Sequence, residues 1–470
     1  MAAARRRWRG LGWAVGMALG LGVAVLLLAI AWNGGGRAHG QGLVCSSFGG
    51  GPPYAFETYE ASRDRIPYLT AQQLAATNQL FTAGSDFALQ EIDVGPFGDR
   101  EPLAEATIPV PLLNAIGWIE SRLNQGSIGV PYEGVGPVLI SPSCAYGLMQ
   151  VASSFSNNAD TPSAAEALVG SHYAYNIAEG ARILVAKWNT EFFPQLGSSN
   201  PFFVESWYYA TWAYNGWAFV NHPAGTEVDP FRTRYDCEAP FNGYPYQELV
   251  LGCVENPPAP DDVALWDPFP VALPNVAALA FPGGPMDPDV YFDGWSAVFA
   301  APFTGNDVST PFEAMNMELP QGAFVVAPPR FPPGATATMR ASIFPSPALR
   351  VDESSIELVA TEEEVGRGTL TIHNDGEGLL VYRLLPQVDW ILVDIPAGVV
   401  VGADFPLRAD QPRTARVTIT PDAEGLGEGL HQGAIIVEAI LPDGEVVRIA
   451  VSVVVDKQGV PRYEAGTPLS

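Results

Sequence analysis

Apolar residues follow three different spacings along this chain. The first is an unbroken run: no charged residue occurs from Leu11 to Trp32, and about 22 residues at ~1.5 Å each cover the roughly 30 Å hydrocarbon core of a bilayer. Between about 101 and 256 the spacing turns helical, which predicts helices near 109–124, 145–155, 163–169, 173–193 and 201–219, with another near Ala71 to Phe81. From about 346 to 457 the period becomes two. Thr369–His373, Ala415–Thr420, Ala434–Glu438 and Val446–Val451 read as strands, and Asn374-Asp375-Gly376 and Pro442-Asp443-Gly444 supply turns. Several short strands within about a hundred residues predict an immunoglobulin-like sandwich.

Two stretches keep no period. Residues 34–100 form an extension with loop chemistry at Gly49-Gly50-Gly51-Pro52-Pro53, and 257–345 is punctuated by Pro257-Pro258-Ala259-Pro260, Pro282-Gly283-Gly284-Pro285 and Pro328-Pro329. Trp266, Tyr291, Phe292 and Trp295 indicate that part of the second stretch packs, so it reads either as an ordered wrap or as a stiff spacer. The resulting division is an N-terminal anchor or signal (1–33), an extracytoplasmic extension (34–100), a helical domain (101–256), a connecting segment (257–345), a sandwich (346–457) and a tail (458–470).

At 470 residues, with 47% hydrophobic content, the chain exceeds a single core. A net charge of −27 and only two lysines, Lys187 and Lys457, leave no basic stripe for phosphates, which excludes nucleic acid as a partner. Arg5, Arg6, Arg7 and Arg9 precede the apolar run and place that end in the cytoplasm and the rest outside. The run reads as an uncleaved anchor, with a cleaved signal as the alternative at Ala38-His39-Gly40. Four cysteines suit an exported chain. Cys237 with Cys253 closes a short loop and is the first pairing expected, which leaves Cys45 for Cys144. Five scattered histidines and no CxxC argue against a metal site, and no cofactor is expected.

The chemistry concentrates around Glu120, the single carboxylate on the apolar helix Pro109–Ser121. Leu113, Ile116 and Gly117 lie on its face, and helical side chains lean toward the N-terminus, so the carboxyl rests over Ile116 and Gly117. An apolar bed disfavours the anion and raises the pKa, which suits a general acid; Gly117 is expected to leave room for a sugar.

Glu120-Ser121, Ser141 ahead of Gly147-Leu148-Met149-Gln150, Asn176-Ile177 ahead of Gly180, and Ala213-Tyr214-Asn215 occur in that order. Together they resemble the soluble lytic transglycosylase family of the lysozyme-like superfamily over roughly a hundred residues, and Tyr246 with Val250 resembles its terminal tyrosine segment. The resemblance implies a multidomain chain in which a mainly α lysozyme-like domain precedes the all-β immunoglobulin-like sandwich. It implies cleavage of the MurNAc–GlcNAc bond of peptidoglycan with formation of 1,6-anhydro-MurNAc, Glu120 acting as acid and then base. Ser141, Tyr146, Met149, Gln150, Tyr214 and Asn215 would contact substrate, Ser141 through the Glu120 carboxyl or the acetamido group. The chain departs from the family at an inserted piece around Gly126–Val138, expected to loop over the cleft, at Cys144, and at Asn242 and Gln247.

Each residue also has a plainer reading. Met149 suits core packing, Asn215 a helix cap, and the cluster Trp207, Tyr208, Tyr209, Trp212, Tyr214 and Trp217 reads as core with Tyr214 the exception. Cys144 with His172 would be a nucleophile pair, although a disulfide half is the commoner role. Ser355–Leu358, Thr369–Asn374, Asp389–Val393 and Gly429–Val437 resemble a BACON-type immunoglobulin-like module, which implies either carbohydrate attachment or a spacer. Alternatives to a transglycosylase are a muramidase hydrolysing the same bond and a non-catalytic wall-binding scaffold. Peptidoglycan strands and the membrane are the expected partners.

Overall fold

The computed structural model describes residues 53–96, 98–152, 155, 161–190, 193, 195–216, 221, 223, 229, 231–273, 280–281, 284–285, 316–407 and 411–459. The apolar run at 11–32, Cys45 and Trp217 lie outside them. Among the described residues no helix is long and apolar enough to cross a membrane.

The N-terminal part interleaves helices with short ladders. Strand β1 (Glu57–Glu60) pairs antiparallel with β4 (Gly134–Pro137), and β2 (Ile92–Val94) pairs with β3 (Glu101–Leu103). Helices α1 (Ile66–Ala76), α2 (Val110–Ser121), α3 (Ala164–Ser171), α4 (Tyr173–Asn189), α5 (Tyr208–Tyr214) and α6 (Tyr246–Glu255) enclose one core. Helix α1 packs on α4, and α2 packs on α6. Phe56, Tyr68 and Leu74 lie in that core beside Leu112 and Leu113, so the extension is part of this unit. Each fully buried leucine there stabilises the fold by roughly 1.5–3 kcal/mol relative to exposure.

The connecting segment wraps this core. Strand β5 (Gln195–Leu196) pairs parallel with β8 (Asn316–Met317), Phe203 bridges to Val325, and Val271, Val326 and Ile343 are buried with the helices. A short ladder joins β6 (Ala280–Phe281) to β7 (Gly284–Pro285), and helix α7 (Ala335–Ile343) ends the segment.

Two sheets form the sandwich. One has the order β10 (Ser355–Ala360), β17 (Val446–Lys457), β16 (Gly429–Ile440), β12 (Leu379–Pro386), β14 (Ala397–Val401), antiparallel except for the β10–β17 pair. The other has the order β13 (Ile391–Val393), β15 (Thr414–Pro421), β11 (Gly368–Asn374), β9 (Leu349–Val351). Strands β12 and β14 are buried on both faces. Leu380, Tyr382, Leu384 and Val400 point into the sandwich, while Leu379, Val381, Val399 and Val401 join the core of the helical part. Arg383 donates to the Pro162 carbonyl at 2.9 Å across the same junction.

The expectation of a mainly α lysozyme-like domain ahead of the sandwich is therefore corrected. Strand exceeds helix among the described residues, and helix α3 lies against β12 and β14 of the five-stranded sheet, so the helices do not form a mainly α domain apart from it. The expected helix at 145–155 is instead a turn closed by a Tyr146–Val151 bridge. The inserted piece does not loop free: Gly134–Pro137 supplies strand β4, because Val130 fills the space beside Gly126 and Gly136. Glycine and proline break helical continuity at these places and let backbone pair with backbone.

Candidate active site

Helix α2 opens on Pro109, Val110 and Pro111, where proline costs no hydrogen bond, and buries Leu112, Leu113, Ala115 and Ile116. It closes without glycine. Arg122 (φ 60°) and Leu123 (φ 53°) take the left-handed conformation just after Ser121. Asn124 makes that ending possible by donating from Nδ2 to the Ser121 carbonyl at 2.6 Å and from its backbone N–H to Ser121 Oγ at 3.1 Å.

A buried ion pair holds Asn124 in turn. Arg65 donates to Asn124 Oδ1 at 2.6 Å and to Glu60 Oε1 at 3.2 Å. Glu60 Oε2 accepts the backbone N–H groups of Gln125 and Gly126 at 2.9 and 2.7 Å. Burial raises the Glu60 pKa to about 7 despite the opposing Arg65 and these two donors. Nothing in the sequence marked Glu60, which shares its short strand with a second, part-exposed carboxylate, Glu57.

Glu120 is part-exposed, near the end of helix α2. The Tyr246 hydroxyl donates to Glu120 Oε1 at 2.6 Å. Burial raises the Glu120 pKa to about 7, and the Tyr246 hydrogen bond opposes the rise. Tyr214 and Tyr246 are both pushed well up, by burial first and then by the field of Glu120, which places all three groups in one electrostatic neighbourhood. Glu179 acts on Tyr214 as well and pairs with Arg182 at 2.5 Å.

The turn at 147–150 is fixed from three sides. Gly147 has φ 69°, and a Cβ there would stand 2.6 Å from Asn176 Nδ2 and 2.7 Å from the Gln125 amide, so both conformation and space demand glycine. Asn176 accepts from Met149 N at 2.8 Å and donates to the Tyr146 carbonyl at 2.9 Å. Gln125 Oε1 accepts from Leu148 N at 2.9 Å. Tyr214 Oη donates to the Met149 carbonyl at 2.7 Å, which ties the turn to helix α5.

The expected substrate contacts therefore sit in different places. Gln150 and Asn215 are part-exposed; Gln150 donates to the Gly147 carbonyl, and Asn215 accepts from Asn221, which also accepts from Tyr246 N. Tyr214 is buried but faces Glu120. Met149 and Tyr146 are fully buried, Met149 within 3.8 Å of Gln72 and Tyr146 stacked on Phe155 at 4.0 Å. The Ser141 hydroxyl meets Ser143 Oγ and Ala145 N in its own turn, where a bond to Glu120 or to the substrate's acetamido group was expected. Gly117 faces Gln72, Leu123 and Leu148, so the space beside it belongs to the core and not to a sugar.

Cys237 and Cys253 form the expected disulfide, with Cα atoms 4.8 Å apart. Cys144 is disulfide-bonded too, and His172 is buried, held neutral with its pKa pushed down to about 3, and caps helix α4 through Nδ1. The nucleophile pairing is thereby corrected. Trp207, Tyr208, Tyr209 and Trp212 are core residues.

The sequence matches no family model and no curated protein. Solved structures give partial likenesses. They include the E. coli chaperone DraB (15% identity, 23% of this chain and 55% of that one, TM-score 0.19) and the human CEP192 PapD-like domain 7 (14%, 30% and 96%, 0.20). A protein of unknown function from Porphyromonas gingivalis W83 matches at 18% identity over 25% of this chain and 50% of that one, TM-score 0.20. The chain spans about half the length of the chaperone it matches.

Proposed function

We propose that this chain cleaves peptidoglycan glycan strands as a lytic transglycosylase. The observation that carries the reading is the carboxyl of part-exposed Glu120, held by the Tyr246 hydroxyl at 2.6 Å and with its pKa raised to about 7 by burial. A group with a pKa near neutrality serves as acid in one half of a reaction and as base in the other.

Glu120 donates its proton to the glycosidic oxygen between N-acetylmuramic acid and N-acetylglucosamine as the bond from that oxygen to the muramic C1 breaks. The substrate's own acetamido group stabilises the cation that develops at C1. The Glu120 carboxylate then takes the proton of the muramic 6-hydroxyl while its oxygen bonds to C1, and the carboxyl returns to its starting state. One carboxylate suffices, unlike hydrolysis by an acid and a second carboxylate at a fixed separation. The Tyr246 hydrogen bond lowers the Glu120 pKa against burial, and part-exposed Gln150 and Asn215 are the side chains of the motif turn and of the end of helix α5 available to the sugars. A location outside the cytoplasm, attached through residues 11–32, suits the substrate, and the Cys237–Cys253 disulfide is compatible with an oxidising compartment.

Digestion of purified peptidoglycan, with the sugar termini identified by mass spectrometry and Glu120→Gln in parallel, tests the reading. Anhydro-muramic ends absent from the variant's digest are expected. Reducing muramic ends would replace it with a hydrolase, and binding without products would replace it with a wall-binding scaffold.

A further inference from the structure

Tyr246 is the first residue of helix α6, and its backbone N–H is one of the four that a helix leaves without an intrahelical partner. Pro245 stands before it and offers no side-chain cap. Asn221, 2% exposed, supplies the missing acceptor from 25 residues away: Tyr246 N donates to Asn221 Oδ1 at 2.9 Å. The same amide also meets the end of helix α5, where Asn221 Nδ2 donates to Asn215 Oδ1 at 2.9 Å. Gln247, one of the positions at which the chain departs from the family pattern, holds Asn221 in turn. Its Nε2 donates to the Asn221 carbonyl at 2.8 Å and to the Tyr208 hydroxyl at 3.2 Å.

Helices α5 and α6 pack together, so one buried amide joins the end of one to the start of the other. Each of those ends carries a side chain of the site. Tyr246 reaches Glu120 Oε1 with its hydroxyl at 2.6 Å, and a first helical residue without its cap frays and takes its side chain along. Asn215 is part-exposed, and with its oxygen turned toward Asn221 its amide nitrogen is turned away, as a donor for a sugar oxygen.

We propose that Asn221 is a positioning residue of the active site, which sets Tyr246 against Glu120 and Asn215 toward the glycan as one unit. The assignment rests on the reading of Glu120 as acid and base. Among the charged and titratable groups nearby, Tyr246 of α6 and Tyr214 of α5 face Glu120, and Glu179 of α4 acts on Tyr214. Glu248 of α6 is paired with Arg232, and Tyr68 of α1 faces Glu60. Asn221 carries no charge, so its removal alters the titration of Glu120 through Tyr246.

Asn221→Ala in the full chain is expected to raise the apparent KM for glycan strands about fivefold, the loss of one hydrogen bond, and to move the alkaline limb of the cleavage profile up by about half a pH unit. The direction follows from the Tyr246 hydrogen bond, which lowers the Glu120 pKa; loosening it lets burial raise that pKa further. In a Tyr246→Phe background the limb should stay where that variant puts it, and in an Asn215→Ala background KM should not rise again. A merely structural residue would lower stability and rate and leave the limb in place. A stationary limb, a limb that moves equally without the Tyr246 hydroxyl, or a KM that rises again without the Asn215 amide would overturn the proposal. Gln247→Met, close in volume, loosens Asn221 without emptying its place and should move the limb the same way by less; it carries the test if Asn221→Ala fails to fold. A second readout needs no catalysis: the free energy of unfolding against pH, taken as the difference between each protein and its Glu120→Gln counterpart so that Glu60 cancels. Asn221→Ala should extend the fall of that difference to higher pH, and an unchanged fall would overturn the proposal. If the parent cleaves no glycan, the transglycosylase reading fails, and this second readout still decides whether Asn221 sets Tyr246 against Glu120.

Discussion

Glu438 in the sandwich is fully buried and Glu120 in the helical part is partly so, and their surroundings treat charge in opposite ways. Glu438 is 1% exposed and receives Arg383 Nε at 2.6 Å and Arg448 Nε at 2.7 Å. Two cations stand by one carboxylate, and the cluster ties β12, β16 and β17 together. Glu120 has a neutral tyrosine hydroxyl in place of a cation, and its carboxyl rises to about 7. Glu60 is intermediate, with one arginine and two backbone N–H groups. Burial alone therefore says little about a carboxylate's role; the sign and number of its partners decide whether it is a strut or a proton carrier.

Four experiments bear on that contrast. The largest effect is expected from Glu120→Gln, which keeps the shape and removes the proton: glycan cleavage should fall by about 10³-fold or more, with the thermal transition retained. On the other side of the contrast, Arg383→Ala leaves Glu438 with Arg448 alone and should destabilise the protein by about 1.5–3 kcal/mol in urea unfolding without altering the pH dependence of cleavage.

The third experiment follows stability against pH. A carboxyl whose folded pKa is raised from 4.5 to about 7 favours the folded state fully below about 4.5, and that contribution is lost as pH rises through 7. For Glu120 the loss is about 3 kcal/mol, and Glu60 adds to it with the same sign. Glu120→Gln should flatten this slope in part between pH 5 and 7; an unchanged slope would mean that Glu120 is not the perturbed group. The smallest effect is expected from Tyr246→Phe, which removes the one hydrogen bond that lowers the Glu120 pKa. Stability should change by about 1 kcal/mol, and the alkaline limb of the cleavage profile should move to higher pH.

The sandwich was legible because its strands repeat every two residues and its turns carry glycine, as at Pro442-Asp443-Gly444 between β16 and β17. Strands β12 and β14 were harder to place, since burial on both faces removes the alternation and leaves apolar runs such as Leu379–Tyr382 and Ala397–Val401. In the helical part, the raised pKa of Glu120 was legible from its apolar helix, but the hydrogen bond it receives from Tyr246, 126 residues away, was not. The roles of Gly147 and Asn176 were not, because they depend on contacts 27 to 30 residues apart. The mainly α expectation failed for a related reason: local period reports a helix where one exists, but not how backbone pairs across the Gly126–Val138 piece.

The doubly buried strands have a mechanical consequence. The outward rows of β12 and β14 meet helix α3 and strand β1, so a cut near residue 345 would strip an apolar wall from each fragment. Neither fragment would then be soluble on its own terms. Force or heat applied to the sandwich would reach the helical part through the Tyr59–Phe405 ring contact and the Arg383–Pro162 link. The two parts should melt together, as one body with two halves.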